Sequence, residues 1–155
     1  MADIGTFPTI TQVCDQGHQN ARAVKAGAAI KAGQVVAYAL TGGTDTVHPA
    51  KYGVTGSVAG VAKYDIASGS WGTILTNGAV VYLANADDTT AIDSGAWVQV
   101  DDNAVGGTVS AASQAETSAG ELTGYLVGMA VGDIAGGATG RVQINIIPGP
   151  VGSSS

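Results

Sequence analysis

The chain of 155 residues contains the same glycine-rich phrase twice, and this repeat restricts its possible folds more than any other feature. The first copy, "GVAKYDIASGSWG", begins at Gly60, and the second, "GMAVGDIAGGATG", begins at Gly128. A weaker match pairs "IKAGQVV" at 30–36 with "IDSGAWV" at 92–98. Aligned without gaps, residues 60–76 and 128–144 are identical at Gly60/Gly128, Ala62/Ala130, Asp65/Asp133, Ile66/Ile134, Ala67/Ala135, Gly69/Gly137 and Gly72/Gly140. Because only two copies exist, at a spacing far longer than that of solenoid repeats, we infer an internal duplication.

The repeated phrase is typical of a connector between two strands. An apolar strand ends, Asp65 or Asp133 is expected to bond the amides that follow it, and the glycines allow the positive φ that returns the chain. Each half therefore consists of a first strand, a variable excursion, and then a strand, the connector and another strand.

Short β-rich runs bounded by glycine, asparagine or aspartate recur along the chain. No window has the i, i+3, i+4, i+7 apolar spacing of an amphipathic helix. The runs predict eight strands, at 34–40, 56–64, 71–76, 79–85, 96–101, 107–112, 124–131 and 140–147. This pattern predicts an all-β fold, a small barrel or sandwich built from two pseudo-repeated halves that close on each other into one core. The dipeptide Asn77-Gly78 predicts a two-residue hairpin whose flanking strands pair, because both central positions of that turn need positive φ.

The sequence divides into three segments by composition and by the limits of the repeat. Two prolines and a serine run predict a flexible C-terminal tail. The predicted segments are an extended N-terminal arm at 1–28, a β domain at 29–147 with halves at about 30–85 and 92–147, and the tail at 148–155.

The predicted arm carries apolar residues separated by threonines, namely Ile4, Phe7, Ile10 and Val13. A short arm of this kind is not expected to bury such side chains within its own domain. We therefore expect it to be disordered or loosely docked in the free protein and to lie along a partner.

Few side chains are suited to catalysis or to metal binding. Cys14 and His18 have a spacing possible for half of a metal site, but no motif supplies the remaining ligands. The aspartates at 87, 88, 93, 101 and 102 lack the ligand spacing, central glycine and terminal glutamate of a calcium loop, so a solvated loop is predicted. The glycine clusters lack the motifs of phosphate-binding loops. We expect no catalytic residue, no metal site and no cofactor.

The charge pattern argues against two classes of partner. Charged residues make up 12% of the chain and the net charge is −6. The six cations are scattered along the sequence, so neither nucleic acid nor a membrane is an expected partner. The N-terminus lacks the pattern of a signal peptide and no stretch approaches the length of a membrane span, so we expect the chain to stay in the cytosol unless a larger assembly carries it out.

The strings "IKAGQVVAYA", "GVAKYDIASGSWGTILTNGAVV" and "GMAVGDIAGGATGRVQINI" resemble the capsid cement, or head decoration, proteins of tailed viruses, a family of small Gly/Ala/Val-rich β proteins. The resemblance runs from about Ile30 to Ile146. Its pattern is an apolar residue, two variable residues and Gly-x-Val-Val, followed by Gly-apolar-Ala-x-x-Asp-Ile-Ala-x-Gly. The string "SGSW" stands where an alanine-rich turn ending in glutamate is expected, so no contact residue is carried over from the family.

The resemblance implies a structural virion protein without catalytic activity. Such a protein is made in the host cytoplasm, binds the major capsid protein on the outer surface of an assembled shell, and bridges its capsomers, often as a homotrimer. Our candidates for capsid or subunit contact are Ile4, Phe7, Ile10, Val13, Trp71 and Trp97, the tryptophans because strand positions favour core or subunit-contact roles. One alternative is a non-catalytic β-barrel binding or surface-adhesion module. An enzyme is the less favoured alternative, because the sequence offers no plausible nucleophile and base.

Overall fold

The computed structural model describes residues 4–17, 20–39, 45–112 and 123–146. Within these ranges the chain forms eleven strands, one 3-10 turn at Thr123–Tyr125 and no α-helix, which confirms the predicted all-β class. In chain order the strands are β1 (Cys14–Gly17), β2 (Ala21–Ala26), β3 (Val35–Ala39), β4 (Thr46–Pro49), β5 (Thr55–Ala62), β6 (Trp71–Leu75), β7 (Ala79–Ala84), β8 (Trp97–Val100), β9 (Val109–Ala111), β10 (Leu126–Ala130) and β11 (Thr139–Ile144).

Strands β2 to β6 form a closed five-stranded barrel, which we call the first barrel. Its strand order is β2-β4-β3-β5-β6, and all neighbours are antiparallel except the parallel pair β2 and β4. A barrel of so few strands has a narrow interior that only small or branched side chains fill. The buried interior residues are Val24, Ala26, Ile30, Val36, Val47, Ala59, Ala62, Ile66 and Ile74.

Strands β7 to β11 repeat this arrangement in a second sheet, which we call the second barrel because one bridge joins its first and last strands. They lie side by side in the order β7-β11-β10-β8-β9. A parallel bridge between Asn85 and Val109 returns β9 to the end of β7, and the Ala86 amide donates to the Val109 carbonyl at 2.8 Å. The N-terminal part of β7 pairs on the same side with β1, which is therefore an added strand outside the duplicated unit.

The two barrels share their hydrogen-bond register. Pairs between β3 and β5 recur between β8 and β10, including the irregularity that skips one residue of β5 and one of β10. The matching pairs are Val35–Val61 and Trp97–Met129, Val36–Gly60 and Val98–Gly128, and Ala37–Val58 and Gln99–Leu126. The closing parallel pair Ala26–Val47 matches Asn85–Val109 in the same way. The internal duplication inferred from the sequence is thus repeated in the backbone pairing.

The connectors of the two barrels also match, although not by the hydrogen bond expected for their aspartates. Asp65 Oδ1 accepts from the Ala32 amide and Asp133 Oδ1 accepts from the Ser94 amide, both at 2.8 Å. Each carboxylate therefore caps the facing turn of its own barrel, and the expectation that it bonds its own downstream amides is wrong. The connector folds back onto that turn through paired isoleucines, Ile30 with Ile66 and Ile92 with Ile134.

Asn77-Gly78 forms a turn, with φ of 102° at Gly78, but the strands beside it do not pair with each other. Strand β6 belongs to the first barrel and β7 to the second, so this turn links two barrels. The Asn77 side chain holds the link by accepting from the Ile146 amide at 2.6 Å. The hairpin prediction is wrong because turn chemistry fixes the local bend and not the partners of the strands that leave it.

The predicted boundaries change in two places. Residues 21–26 were assigned to the arm but form β2, a closing strand of the first barrel. Strand β7 was assigned to the first half but belongs to the second barrel. The first half closes into a barrel and the second half is joined at its ends by one bridge, so the halves do not close on each other into one shared barrel. The predicted tail at 148–155 lies outside the described residues.

Candidate functional site

The described start of the predicted arm, residues 4–13, packs its apolar side chains between the two barrels. Phe7, Ile10 and Val13 have only 7%, 9% and 6% of their surface exposed and belong to the same apolar cluster as residues of both barrels. Ile4, partly buried, packs against that cluster, and its amide donates to the Ala86 carbonyl at 2.9 Å. The expectation that the arm cannot bury its apolar residues within its own chain is therefore wrong.

The arm helps to cover the outward side of the first barrel. We call the residues Val35, Val61 and Leu75 the first outer face. All three point away from the barrel interior, yet they are fully buried in the cluster that contains the arm. Ile10 lies so close to Gly33, where β3 is about to begin, that a Cβ there would overlap its side chain. The arm and the second barrel thus complete an apolar seam along the first barrel.

The outward side of the second barrel lies in a different environment. We call Trp97, Met129 and Val131 the second outer face; Trp97 and Met129 take the register positions of Val35 and Val61, whereas Val131 takes that of Lys63. Trp97 is cross-strand partner of Met129 and is half-buried, while Met129 and Val131 are 39% and 38% exposed. No described segment of the chain covers Met129 and Val131 as the arm covers the first outer face.

Two exposed aromatic residues of the first barrel lie beside lysines, and we call Lys25, Lys63, Tyr64 and Trp71 together the basic aromatic face; the exposed Asp65 follows Tyr64 in the same connector. Trp71 is 66% exposed and lies directly across from Lys25. Tyr64 is 61% exposed, with the Lys63 Nζ 5.5 Å from its ring centre. Large aromatic rings in water beside ammonium groups are unusual for a surface without a partner.

The two tryptophans proposed as contacts are not brought together. Trp71 lies on the first barrel, where the equivalent position of the second barrel is Thr139. Trp97 lies on the second barrel, at the position that Val35 occupies in the first. The sequence therefore identified one residue from each of two separate exposed surfaces, and four arm residues that the chain itself covers.

The charges divide between the two halves, and the sequence reasoning missed this division. Residues 20–76 contain five cations and two acids, a net charge of +3, while residues 77–155 contain one cation and eight acids, a net charge of −7. The single cation of the second half, Arg141, is paired with Asp15 at 3.3 Å. Counting charges by half, rather than along the whole chain, would have revealed the asymmetry.

The acidic loop at 85–90 closes the second barrel. Asp87 is buried, and its Oδ1 accepts from the Thr89 amide at 2.9 Å and from the Thr89 hydroxyl at 2.8 Å. The bond from the Thr89 amide, followed by that from its hydroxyl, lowers the pKa of Asp87 because both favour the carboxylate. Asn85 ties the loop together by donating to the Thr90 carbonyl at 2.8 Å. These contacts give the loop a structural role.

Among the described residues, no three His, Cys, Asp or Glu side chains are grouped as a metal site would require. The candidate partner of Cys14, His18, lies outside the described residues. In the described part of the chain no helix has both the length and the apolar character needed to cross a membrane.

Comparison with protein-family models gives no match, and a search of curated proteins finds no significant match either.

Proposed function

We propose that this chain is a structural virion protein that binds the outer surface of an assembled capsid and stabilises it by bridging neighbouring capsomers. It acts there without catalysis, as a homotrimer, and its partner is the major capsid protein. The resemblance of the repeated strings to head decoration proteins suggests this role, and two structural observations support it.

The observation that carries the proposal is the exposure of two large aromatic side chains on the basic aromatic face. Tyr64 and Trp71 each leave more than half of their area in water, at 61% and 66%. Aromatic residues in such positions are typical of the centres of protein interfaces, where they contribute most of the binding free energy. The first barrel therefore presents a surface suited to a protein partner.

The duplication supports the bridging role. The barrels share one backbone register and are joined by direct contacts: the Tyr125 hydroxyl donates to the Thr55 carbonyl at 3.0 Å and accepts from the Gly53 amide at 3.0 Å. A further bond joins the Val35 amide to the Gly107 carbonyl at 3.0 Å. A shell presents many copies of one subunit, so two similar units held in fixed geometry suit such a target. A second contact strengthens attachment because the linked unit has already lost its translational and rotational freedom.

Binding to shells tests the proposal directly. Purified chain is mixed with expanded, undecorated shells of the tailed virus that encodes it, and bound protein is measured by co-sedimentation. We expect saturable binding and a higher temperature of particle disruption, because a ligand that binds only the assembled state stabilises that state.

Matched variants locate the contact. Trp71→Ala should weaken shell binding by about tenfold, the loss expected when a moderately important aromatic contact is truncated. Thr139→Ala, at the equivalent position of the second barrel, is the control and should bind as the unaltered chain does. Absence of shell binding by the unaltered chain would overturn the proposal and favour the alternative of a non-catalytic adhesion module.

A further inference from the structure

We propose that Asn77, in the turn that links the two barrels, is a site of spontaneous deamidation that the folded chain protects. The protecting segment is 144–146, at the end of β11, which holds both Asn77 and Gly78. When that segment detaches, Asn77 is converted to aspartate or isoaspartate, and the link between the barrels is weakened. This inference concerns the chain itself and does not depend on shell binding.

The sequence makes Asn77 the most reactive asparagine of the chain. Deamidation begins when the backbone nitrogen of the following residue attacks the side-chain carbonyl carbon of the asparagine. Glycine hinders this attack least because it has no Cβ. Of the five asparagines, only Asn77 precedes a glycine. The other four, Asn20, Asn85, Asn103 and Asn145, precede alanine or isoleucine. Asn77 is also exposed, so water reaches its side chain.

The reaction needs only the turn itself and water. A bond forms between the Gly78 nitrogen and Asn77 Cγ, and the bond between Cγ and Nδ2 breaks. Nδ2 leaves as ammonia and takes up the proton that the Gly78 amide loses, so that a succinimide ring remains. Water then adds to either carbonyl carbon of the ring and opens it to aspartate or isoaspartate.

The segment 144–146 opposes this attack at both reacting groups. The Gly78 amide, whose nitrogen is the nucleophile, donates to the Ile144 carbonyl at 3.2 Å. Asn77 Oδ1 accepts from the Ile146 amide at 2.6 Å, and Asn77 Nδ2 donates to the Ile146 carbonyl at 3.3 Å. Attack requires the Gly78 nitrogen to lose its proton and the Asn77 carboxamide to rotate onto it, and these bonds resist both steps. The turn therefore reacts after local opening, which costs free energy.

The products cannot restore the original contacts. Aspartate at position 77 still accepts from the Ile146 amide, but it has no N–H for the Ile146 carbonyl and places a negative charge beside that oxygen. Isoaspartate also lengthens the backbone of the turn by a methylene group. Since this turn leads from β6 of the first barrel to β7 of the second, either product loosens the link between them.

Peptide mapping by mass spectrometry measures the protection. The full chain is kept at mildly alkaline pH, either folded or unfolded in urea, and the conversion of each asparagine is followed with time. In urea, Asn77 should react fastest of the five. In the folded chain Asn77 should react at least about tenfold more slowly than in urea, because the reaction waits for local opening. Equal rates at Asn77 in the two states would overturn the inference.

Two variants at one position test whether the segment 144–146 provides the protection. Ile146→Pro removes the amide that donates to Asn77 Oδ1, whereas Ile146→Ala keeps that amide and shortens the side chain. In the folded state the proline variant should deamidate about fivefold faster than the unaltered chain, the factor that corresponds to one ordinary hydrogen bond. The alanine variant should react as the unaltered chain does. Equal rates in the two variants would overturn the protecting role of this amide.

A second pair of variants tests the consequence of the modification. Asn77→Asp reproduces one product and should lower the melting temperature by about 3 °C, the shift expected when one hydrogen bond is lost in a chain of this size. Asn145→Asp makes the same charge change at a nearby exposed position and should leave the melting temperature unchanged. Equal melting temperatures for the two variants would show that the product leaves the link intact, and would overturn this part of the inference.

Discussion

The first and second barrels share one backbone plan but differ in what lies against their outer sides. Val61 and Leu75 of the first barrel are fully buried beneath the arm and the second barrel. At the same register positions the second barrel has Met129 and Gln143, both exposed. The same strand pairing therefore supports a buried face in one copy and an open face in the other.

This difference separates two kinds of constraint on a sequence. Interior and connector positions are alike in both copies because the narrow barrel limits their size: a Cβ at Gly72 would overlap Ile66, and one at Gly140 would overlap Ile134. Outward positions differ because the barrel itself does not determine what touches them. Outward residues can therefore differ between the two halves without disturbing either interior.

Removing the side chain that anchors the arm should have the largest effect on the free energy of unfolding. Phe7→Ala should lower the free energy of unfolding by about 4 kcal/mol, because it leaves a cavity in the cluster beside the first outer face. Urea denaturation measures the change, with the exposed neighbour Thr6→Ala as control. A loss below about 1 kcal/mol would show that the arm is not part of the core.

The glycines at the closest strand contacts test whether the two barrels are equally tight. A Cβ at Gly60 would overlap the Leu75 carbonyl, and one at Gly128 would overlap the Gln143 carbonyl. Gly60→Ala and Gly128→Ala should each cost about 2 kcal/mol of unfolding free energy, since backbone must move to admit the methyl group. Gly132→Ala, which meets nothing within 4 Å, is the control for thermal or urea denaturation. Unequal losses of unfolding free energy would show that the two barrels pack differently despite their shared register.

The two capping aspartates should have smaller and similar effects. Asp65→Ala and Asp133→Ala each remove one carboxylate that accepts from a turn amide, in the first and second barrel respectively. We expect about 1 kcal/mol from each in urea denaturation, the usual value for one such hydrogen bond. The comparison would be contradicted by a large effect in one barrel and none in the other.

Acid sensitivity is the smallest predicted effect, and it is predicted for Asp87 in the loop at 85–90 of the second barrel. The lowered pKa of Asp87 means that folding favours its carboxylate, so its contribution to stability is complete above the ordinary value of 3.8 and is lost as the pH falls through the lower folded value. The matching turn of the first barrel, residues 27–29, contains no acid. Stability between pH 5 and pH 3 should therefore fall less in Asp87→Asn than in the unaltered chain, with Asp88→Asn as control; an identical pH dependence in both variants would contradict this role.

The sequence was sufficient to predict the repeated elements of the fold. All eight predicted strands overlap observed strands, because alternating β-branched residues between glycines are a local signal. Strands β1, β2 and β4 were missed: β1 and β4 are only four residues long, β4 ends in a proline, and β2 is interrupted by Arg22 and Lys25. The pairing of β2 and β4 depends on barrel closure, which no short window of sequence contains.

The candidate surfaces were predicted less well than the strands, for a related reason. Phe7 and Ile10 looked like anchors for a partner because the sequence does not show that two barrels leave a seam between them. Trp71 was correctly singled out as unusual, but Met129 was not, since its exposure follows from the absence of a covering segment among the described residues. Burial of an outward side chain depends on distant parts of the chain, and local patterns do not encode it.

The central claim is that equivalent positions are covered on the first barrel and open on the second, and thiol labelling tests it most directly. In a Cys14→Ser background, Val61→Cys and Met129→Cys place one thiol at each of two matching register positions. The account predicts that the thiol at 129 reacts at a rate close to that of the unfolded chain, while the thiol at 61 reacts at least about a hundredfold more slowly because it requires local opening. Equal labelling rates at the two positions would contradict the account.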